Sequence, residues 1–368
     1  MALRRTLTLM LCAITGASLV ATAVPSSAAP GFTISPLRIS DSIQSTSGFV
    51  VHLKDRSASA QRVRTAHAAS AMQATSTSLR GLVDRAAKVR GAHVTESLAR
   101  ANNSMSVQVS QGLNATAAKA FASEIERNPE VESVEPVLHM TINENTGVHP
   151  AAVSSVPNDQ YWNRQWGLNS KNGIDAPGAW TTNTGSGVTV AVIDSGITKH
   201  PDLDGKVLPG YDFISDRYAA GDGNGRDSDP SDEGDWTRAG ACTRRDVPSS
   251  WHGTHVAGII GAATNNARGV AGAAPGAKIL PVRALGHCGG TDVDIADGIT
   301  WASGGEVPGV PTNHNPAKVI NLSLGGPSNY CPITYQRAID AAVSRGSTVV
   351  VAAGNEAMDV RKSTPGNC

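Results

Sequence analysis

Four near-continuous apolar runs in the second half of the chain, separated by helical stretches, constrain the fold more than any other feature. They are residues 188–193, 278–282, 317–322 and 348–352. A strand apolar on both faces must be covered on both, as strands of parallel sheets are. The intervening stretches, residues 252–263, 292–302 and 333–345, have helical patterning. Alternation of this kind predicts a parallel sheet with helices on both faces. No internal repeat is seen.

In such a sheet, ligands and catalytic groups gather at the carboxyl ends of the strands. Three polar segments fall there: Asp194-Ser195-Gly196, Asn321-Leu322-Ser323-Leu324-Gly325-Gly326 and Ala353-Gly354-Asn355. A fourth, His252-Gly253-Thr254-His255-Val256-Ala257-Gly258, opens an apolar helix of small residues. A carboxylate can orient an imidazole through its Nδ1 proton while Nε2 serves as a general base. Asp194 and His252 are candidates for that pair, and the Asn355 amide for stabilising an oxyanion. Each has a plain alternative: a satisfied core histidine, a capping aspartate, a turn asparagine. His252 and His255 also stand one turn apart, as a zinc pair would, but no His-Glu-x-x-His run is present.

The bulk properties narrow the class. Formal net charge is zero and no Lys/Arg-rich run occurs, so nucleic acid is not an expected partner. The N-terminus follows the order of a secretory signal: Arg4 and Arg5, an apolar run over residues 7–24, then Ser27-Ala28-Ala29-Pro30. Residues 1–29 are therefore expected to be a signal peptide on a secreted, extracellular protein, and no membrane anchor is seen beyond it. Removing Cys12 with that segment leaves four cysteines, an even number suited to two disulfides in an oxidising compartment.

Residues 30–47 are Ser/Thr/Pro-rich and are expected to be a flexible lead-in. Residues 48–140 contain strand patterns at 49–54, 105–109 and 131–137. Between them lie an Ala-rich helical segment from Ala58 to about Arg90, broken near Thr75 to Ser78, and a helical face of Ala118, Phe121 and Ile125. This predicts a small α+β domain ordered strand, helix, strand, helix, strand. Residues 141–158 form a polar linker, and residues 159–368 hold the βα units.

Taken together, Val190 to Gly196, His252 to Gly258 and Ala352-Ala353-Gly354-Asn355 resemble three signature segments of the subtilisin-like serine proteases, in that family's order. The preceding domain, with Phe121, Ile125, Asn128-Pro129-Glu130-Val131 and Val134-Glu135-Pro136, resembles the family's inhibitory and chaperoning propeptide. The resemblance implies a three-layer α/β/α fold with a mainly parallel sheet, preceded by a ferredoxin-like α+β propeptide domain. It implies a secreted serine endopeptidase made as a zymogen, acting as a monomer on protein or peptide substrates. Its own propeptide would be an intramolecular inhibitor, cut off within the linker. Asp194 and His252 would be triad members and Asn355 the oxyanion residue. Ser323, Leu324 and Gly325, with Gly289 and Gly290, would clasp a substrate peptide by backbone pairing. The family's nucleophile lies in a Gly-Thr-Ser-x-Ala segment that does not occur here. It is expected in a part of the gene beyond residue 368, and the chain as written is expected to be inactive. An inactive, peptide-binding homologue is the alternative reading; a zinc hydrolase is a distant third.

Two further expectations concern cross-links and cations. Cys331 and Cys368 each follow a strand at one sheet edge and are predicted to pair, as are Cys242 and Cys288, though four cysteines allow three pairings. Structural Ca²⁺ is expected, since Asp202 and Asn266 match one of the family's calcium sites. The loop from Asp212 to Asp235, with six further Asp or Asn residues, reads either as a second cation loop or as a solvated acidic turn. His255 is expected to be a packing residue.

Overall fold

The computed structural model describes residues 45–66, 71–142 and 156–368. The expected signal peptide and most of the lead-in and linker lie outside the described residues.

The parallel sheet is present, and its order places the polar segments together. Thr189–Asp194 runs down the middle, with Lys278–Arg283 and then Tyr211–Asp212 on one side. Val319–Leu322 and then Thr348–Val351 lie on the other. All pairings are parallel. After Lys278–Arg283 the chain crosses to the far side of Thr189–Asp194, so the strand order reverses at Asp194. A reversal of this kind opens a crevice at the carboxyl ends of the strands.

Side-chain alternation explains why these strands read as unbroken apolar runs. Val192 and Ile279 pack against Val256 and Ala257 of the His252–Gly261 helix on one face. Ala191, Ile193, Leu280 and Val282 pack into a larger cluster on the other. That cluster includes Ile295 and Ile299 of the Asp292–Ala302 helix and Tyr335 and Ala338 of the Ile333–Ser344 helix. Both faces are covered, which is the three-layer arrangement expected.

The amino-terminal domain is a four-stranded antiparallel sheet ordered Val94–Arg100, Ser104–Leu113, Thr46–Leu53, Val131–Pro136. The strand Val94–Arg100 is an addition to the sequence-based order. Its sequence, Val-Thr-Glu-Ser-Leu-Ala-Arg, lacks apolar alternation because it is an edge strand with an exposed outer stretch. With it the order becomes β-α-β-β-α-β, the ferredoxin-like pattern. The Ala-rich segment is three helices, Ala58–Thr65, Ala71–Ala74 and Thr77–Lys88, not two. Ser57, Ser76 and Asn114 each cap a helix through a side-chain oxygen, and Ser76 is the break expected near Thr75. Phe49, Val51 and Leu53 join Leu79, Val83, Phe121 and Ile125 in this domain's own core. The opposite face of the same strand carries His52 toward the other domain.

Both predicted disulfides form: Cys242–Cys288 and Cys331–Cys368. The first ties the loop before the His252 helix to the segment leading into Gly289 and Gly290. Among the described residues, no helix is long and apolar enough to cross a membrane.

Candidate active site

Asp194 ends the central strand and is fully buried. His252 is the first residue of its helix, and its Nδ1 lies 2.8 Å from Asp194 Oδ1 and 3.0 Å from Oδ2. The backbone N–H of Ser195 donates to the same Oδ1 at 2.8 Å, which holds the carboxylate in place. With Nδ1 held by the carboxylate, Nε2 is the nitrogen that a general base would use.

The local sequence makes this approach possible. A Cβ on Gly253 would fall 2.2 Å from the carbonyl oxygen of Gly196, so only glycine lets the helix start sit on the Asp-Ser-Gly turn. The Gly253 N–H donates to Ser195 Oγ at 3.0 Å, and that hydroxyl donates to Asp232 Oδ2 at 2.7 Å. Thr254 Oγ1 accepts from the Thr198 N–H at 2.9 Å and adds a second tie. On the other side Trp251 adopts a left-handed conformation, φ +54°, unusual for a bulky residue. The strain is held by Ser250, which receives the His252 N–H and is itself bonded to both oxygens of Asp235. Ser195, Asp232, Ser250 and Asp235 thus position the pair. Sequence reasoning had Asp232 and Asp235 only as members of an acidic loop.

His255 is exposed, which corrects the expectation that it packs. With His252 engaged to Asp194 by Nδ1 and His255 facing solvent, the zinc reading has no support. Ser347 is buried and donates to the Ala317 carbonyl, as a turn residue and not a nucleophile. Asn355 follows the Thr348–Val351 strand on the same sheet, and its N–H donates to Glu356 Oε2 at 2.9 Å.

The tail of the amino-terminal domain pairs with both glycine-rich edges. His139–Met140 pairs antiparallel with Gly290–Thr291, and Thr141 exchanges both backbone hydrogen bonds with Gly325. Met140 is buried in the same apolar cluster as Leu285 and Leu324. Gly289 has φ +89°, and a Cβ there would lie 2.1 Å from the Met140 carbonyl oxygen, so a side chain would lift the tail off the edge. Ser323 lies one step back, receiving the Asn321 side-chain amide at 2.9 Å. One residue upstream of the paired strand, Leu138 is bonded at both ends to Asp292, by backbone and by carboxylate. Burial, reinforced by nearby Glu135, pushes the Asp292 carboxyl well above its usual range.

The domain interface carries a second polar cluster. Glu135 accepts the N–H groups of Ile333 and Thr334 and the Thr334 hydroxyl, capping the Ile333–Ser344 helix. His52 Nε2 lies 3.0 Å from the same carboxylate, and both residues are essentially buried. Burial alone would raise the Glu135 carboxyl, but His52 and Thr334 outweigh it and hold the group below its usual value. His52 lies 83 positions from Glu135 and 282 from Thr334, and Glu135 lies 199 from Thr334, so no local pattern announces the cluster.

The expected cation residues are adjacent: Asn266 Nδ2 donates to Asp202 Oδ1 at 2.7 Å, and the Val270 N–H donates to Oδ2. Asp159 binds the same loop through Asn265, and its buried Oδ1 has no hydrogen-bond partner. In the acidic loop, by contrast, Asp222 pairs with Arg283, Asp232 serves Ser195, and Asp227 and Asp229 cap turns. Among the described residues no group of three or more His, Cys, Asp or Glu is placed to hold a metal.

The sequence model described as "Subtilase family" matches residues 185–368, half of the chain. An extracellular protease of Xanthomonas campestris is 51% identical over 71% of this chain and 44% of its own length. Thermitase of Thermoactinomyces vulgaris is 40% identical over 54% of this chain and 58% of its own. Among solved structures, a protease from Pseudoalteromonas arctica superposes with a TM-score of 0.57 at 54% identity, covering 58% of this chain and 63% of that one. The chain thus spans between two fifths and three fifths of the length of curated relatives that it matches. On the Asp194–His252 geometry, the strand order that produces it and these matches, the chain belongs to the subtilase family.

Proposed function

We propose that this chain is part of a secreted serine endopeptidase, synthesised as a zymogen, whose nucleophilic serine is supplied by a segment beyond residue 368. The observation that carries the reading is the Asp194 carboxylate on His252 Nδ1 at 2.8 Å. That contact fixes the imidazole tautomer, leaves Nε2 to take the serine proton, and stabilises the imidazolium that follows. Asn355 donates its amide to the oxyanion of the tetrahedral intermediate. The substrate lies between Gly289-Gly290 and Ser323-Leu324-Gly325. Occupation of that groove by residues 139–141 supports the amino-terminal domain as an intramolecular inhibitor, cut within residues 141–158. Relatives named as extracellular proteases support export. A fluorophosphonate probe on the product of the whole gene is expected to label one serine, and His252→Ala is expected to abolish labelling. An unlabelled, folded parent protein would instead favour the inactive peptide-binding homologue.

Structural Ca²⁺ fits the loop around Asn266. Asp202, Asn266 Oδ1, which accepts the Arg268 N–H, and the unpartnered Asp159 Oδ1 are the oxygens that would hold it. The ion would supply charge balance and cross-linking to the loop and takes no part in the reaction. Chelation is expected to lower the melting temperature, by the equivalent of about 4 kcal/mol if free Ca²⁺ stands near 1,000 times its dissociation constant. Asp202→Asn is expected to remove that response, as read by calorimetry with and without chelator. An unchanged melting temperature on chelation discards the assignment.

A further inference from the structure

The interface holds a buried charge cluster that the peptidase chemistry does not use. Asp294 and Asp297 project from the Asp292–Ala302 helix, and their side chains are at most 3% exposed. Arg226, from the acidic loop, meets both carboxylates at 2.7 and 2.8 Å, with its guanidinium over the Phe213 ring. One resident cation against two carboxylates leaves one negative charge unbalanced. Arg100, from the amino-terminal domain, completes the balance: its Nη1 stands 2.8 Å from Asp294 and 3.4 Å from Asp297, and Nη2 donates to Ser215 Oγ at 3.3 Å.

Arg100 is followed by a turn that continues the contact. The Ala101 N–H donates to Asp297 Oδ1 at 2.9 Å, and the Ala101 side chain lies in the apolar cluster of the carboxy-terminal domain. Asn102 reaches Thr300 Oγ1 at 3.4 Å. Asn102 and Asn103 both have positive φ, so the turn is tight enough for its tip to enter between the helix and the Ser215 loop. Arg100, Ser215 and Asp294 also border a cavity of about 520 Å³ between the two domains, which gives small molecules a path to the site.

We propose that Asp294, Asp297 and Ser215 form a guanidinium-binding site on the carboxy-terminal domain, selective for an arginine presented on a β-turn. Its occupant here is Arg100, and the site discriminates this amino-terminal domain from others of the same fold. A buried carboxylate left without its cation is strongly unfavourable, so the slot demands a positive charge. Three acceptors spread over two residues and a hydroxyl suit a planar, forked donor better than a compact ammonium. In the separated domain that the zymogen reading requires, the same site would accept an arginine side chain of another protein.

The test uses the full, uncleaved chain, so its outcome does not depend on whether cleavage occurs. Hydrogen–deuterium exchange is followed at residues 94–113 and 292–302 in the parent and in Arg100→Ala. Exchange is expected to accelerate at least tenfold in the variant. Millimolar ethylguanidinium is expected to restore protection saturably, and ethylammonium is not. The double variant Arg100→Ala/Asp297→Asn is expected to lose the rescue. Unchanged exchange in Arg100→Ala, equal rescue by ethylammonium, or rescue that persists in the double variant would each overturn the proposal. If Arg100→Ala does not fold, Arg100→Lys retains the charge, and its exchange is expected to exceed the parent's several-fold; parental protection there overturns the guanidinium preference.

Discussion

Asp194→Asn, in the protein that carries the serine segment, is expected to lower kcat by about 10⁴-fold while KM stays near the parental value. The substitution keeps the size of the side chain and changes what it offers His252. Asp194 presents two acceptor oxygens to Nδ1, at 2.8 and 3.0 Å, and is fully buried. An amide in that place can direct an N–H at Nδ1, which selects the tautomer with its proton on Nε2, the wrong nitrogen for a base. The imidazolium formed during acylation also loses its buried counter-charge. Substrate binding is expected to be left alone, because the edges proposed to hold it pair with residues 139–141 and not with the Asp194 carboxylate. On the proposed zymogen reading the variant would not mature itself, so it is processed in trans by parent enzyme, and active sites are titrated before steady-state kinetics. A kcat within tenfold of the parent's would remove Asp194 from the triad.

Glu135→Ala is expected to destabilise the uncleaved chain by about 3–5 kcal/mol, the usual cost of leaving one member of a buried charged cluster alone. The carboxylate serves His52, two backbone N–H groups at a helix start and the Thr334 hydroxyl, and alanine replaces none of these bonds. Its pH signature follows from direction. The Glu135 carboxyl is held below its ordinary 4.5 in the folded chain. Its contribution is therefore complete above about pH 4.5 and is lost as pH falls through the lowered value. Asp292 works in the opposite sense, because its folded carboxyl is raised above the ordinary 3.8. The stability it contributes while protonated is complete below about pH 3.8 and is lost as pH rises through the raised value. Urea unfolding across pH 3 to 9 checks both: Glu135→Gln is expected to flatten the acid limb, and Asp292→Asn the limb at rising pH. Unchanged limbs in both variants would dissociate these carboxylates from the interface.

The parallel sheet and, one by one, the candidates Asp194 and His252 were legible in the residues, because each sits in a short-range pattern; that the two meet was not. Runs such as 188–193 read as doubly covered strands, and the small residues after His252 read as a close-packed helix. The Val94–Arg100 strand was not legible, since an edge strand exposed along part of its length has no alternation to detect. The roles of Met140 and Asp292 were hidden for a different reason. Each looks ordinary in its own segment, and only the antiparallel pairing of residues 139–141 with the glycine edges gives it meaning.

By itself, the order of residues determined the covered sheet, the helix that begins at His252, the even set of cysteines and the segments that mark the family. These are local properties, set by periodicity, small residues and chemistry within a few positions. The tertiary structure decided which distant groups meet: Asp194 with His252, Arg100 with Asp294 and Asp297, Glu135 with His52 and Thr334. Such contacts depend on the crossover that reverses strand order at Asp194 and on the sheet face that docks the two domains. A charge or an imidazole carries no record, in its own neighbourhood of the chain, of the partner that folding will bring to it.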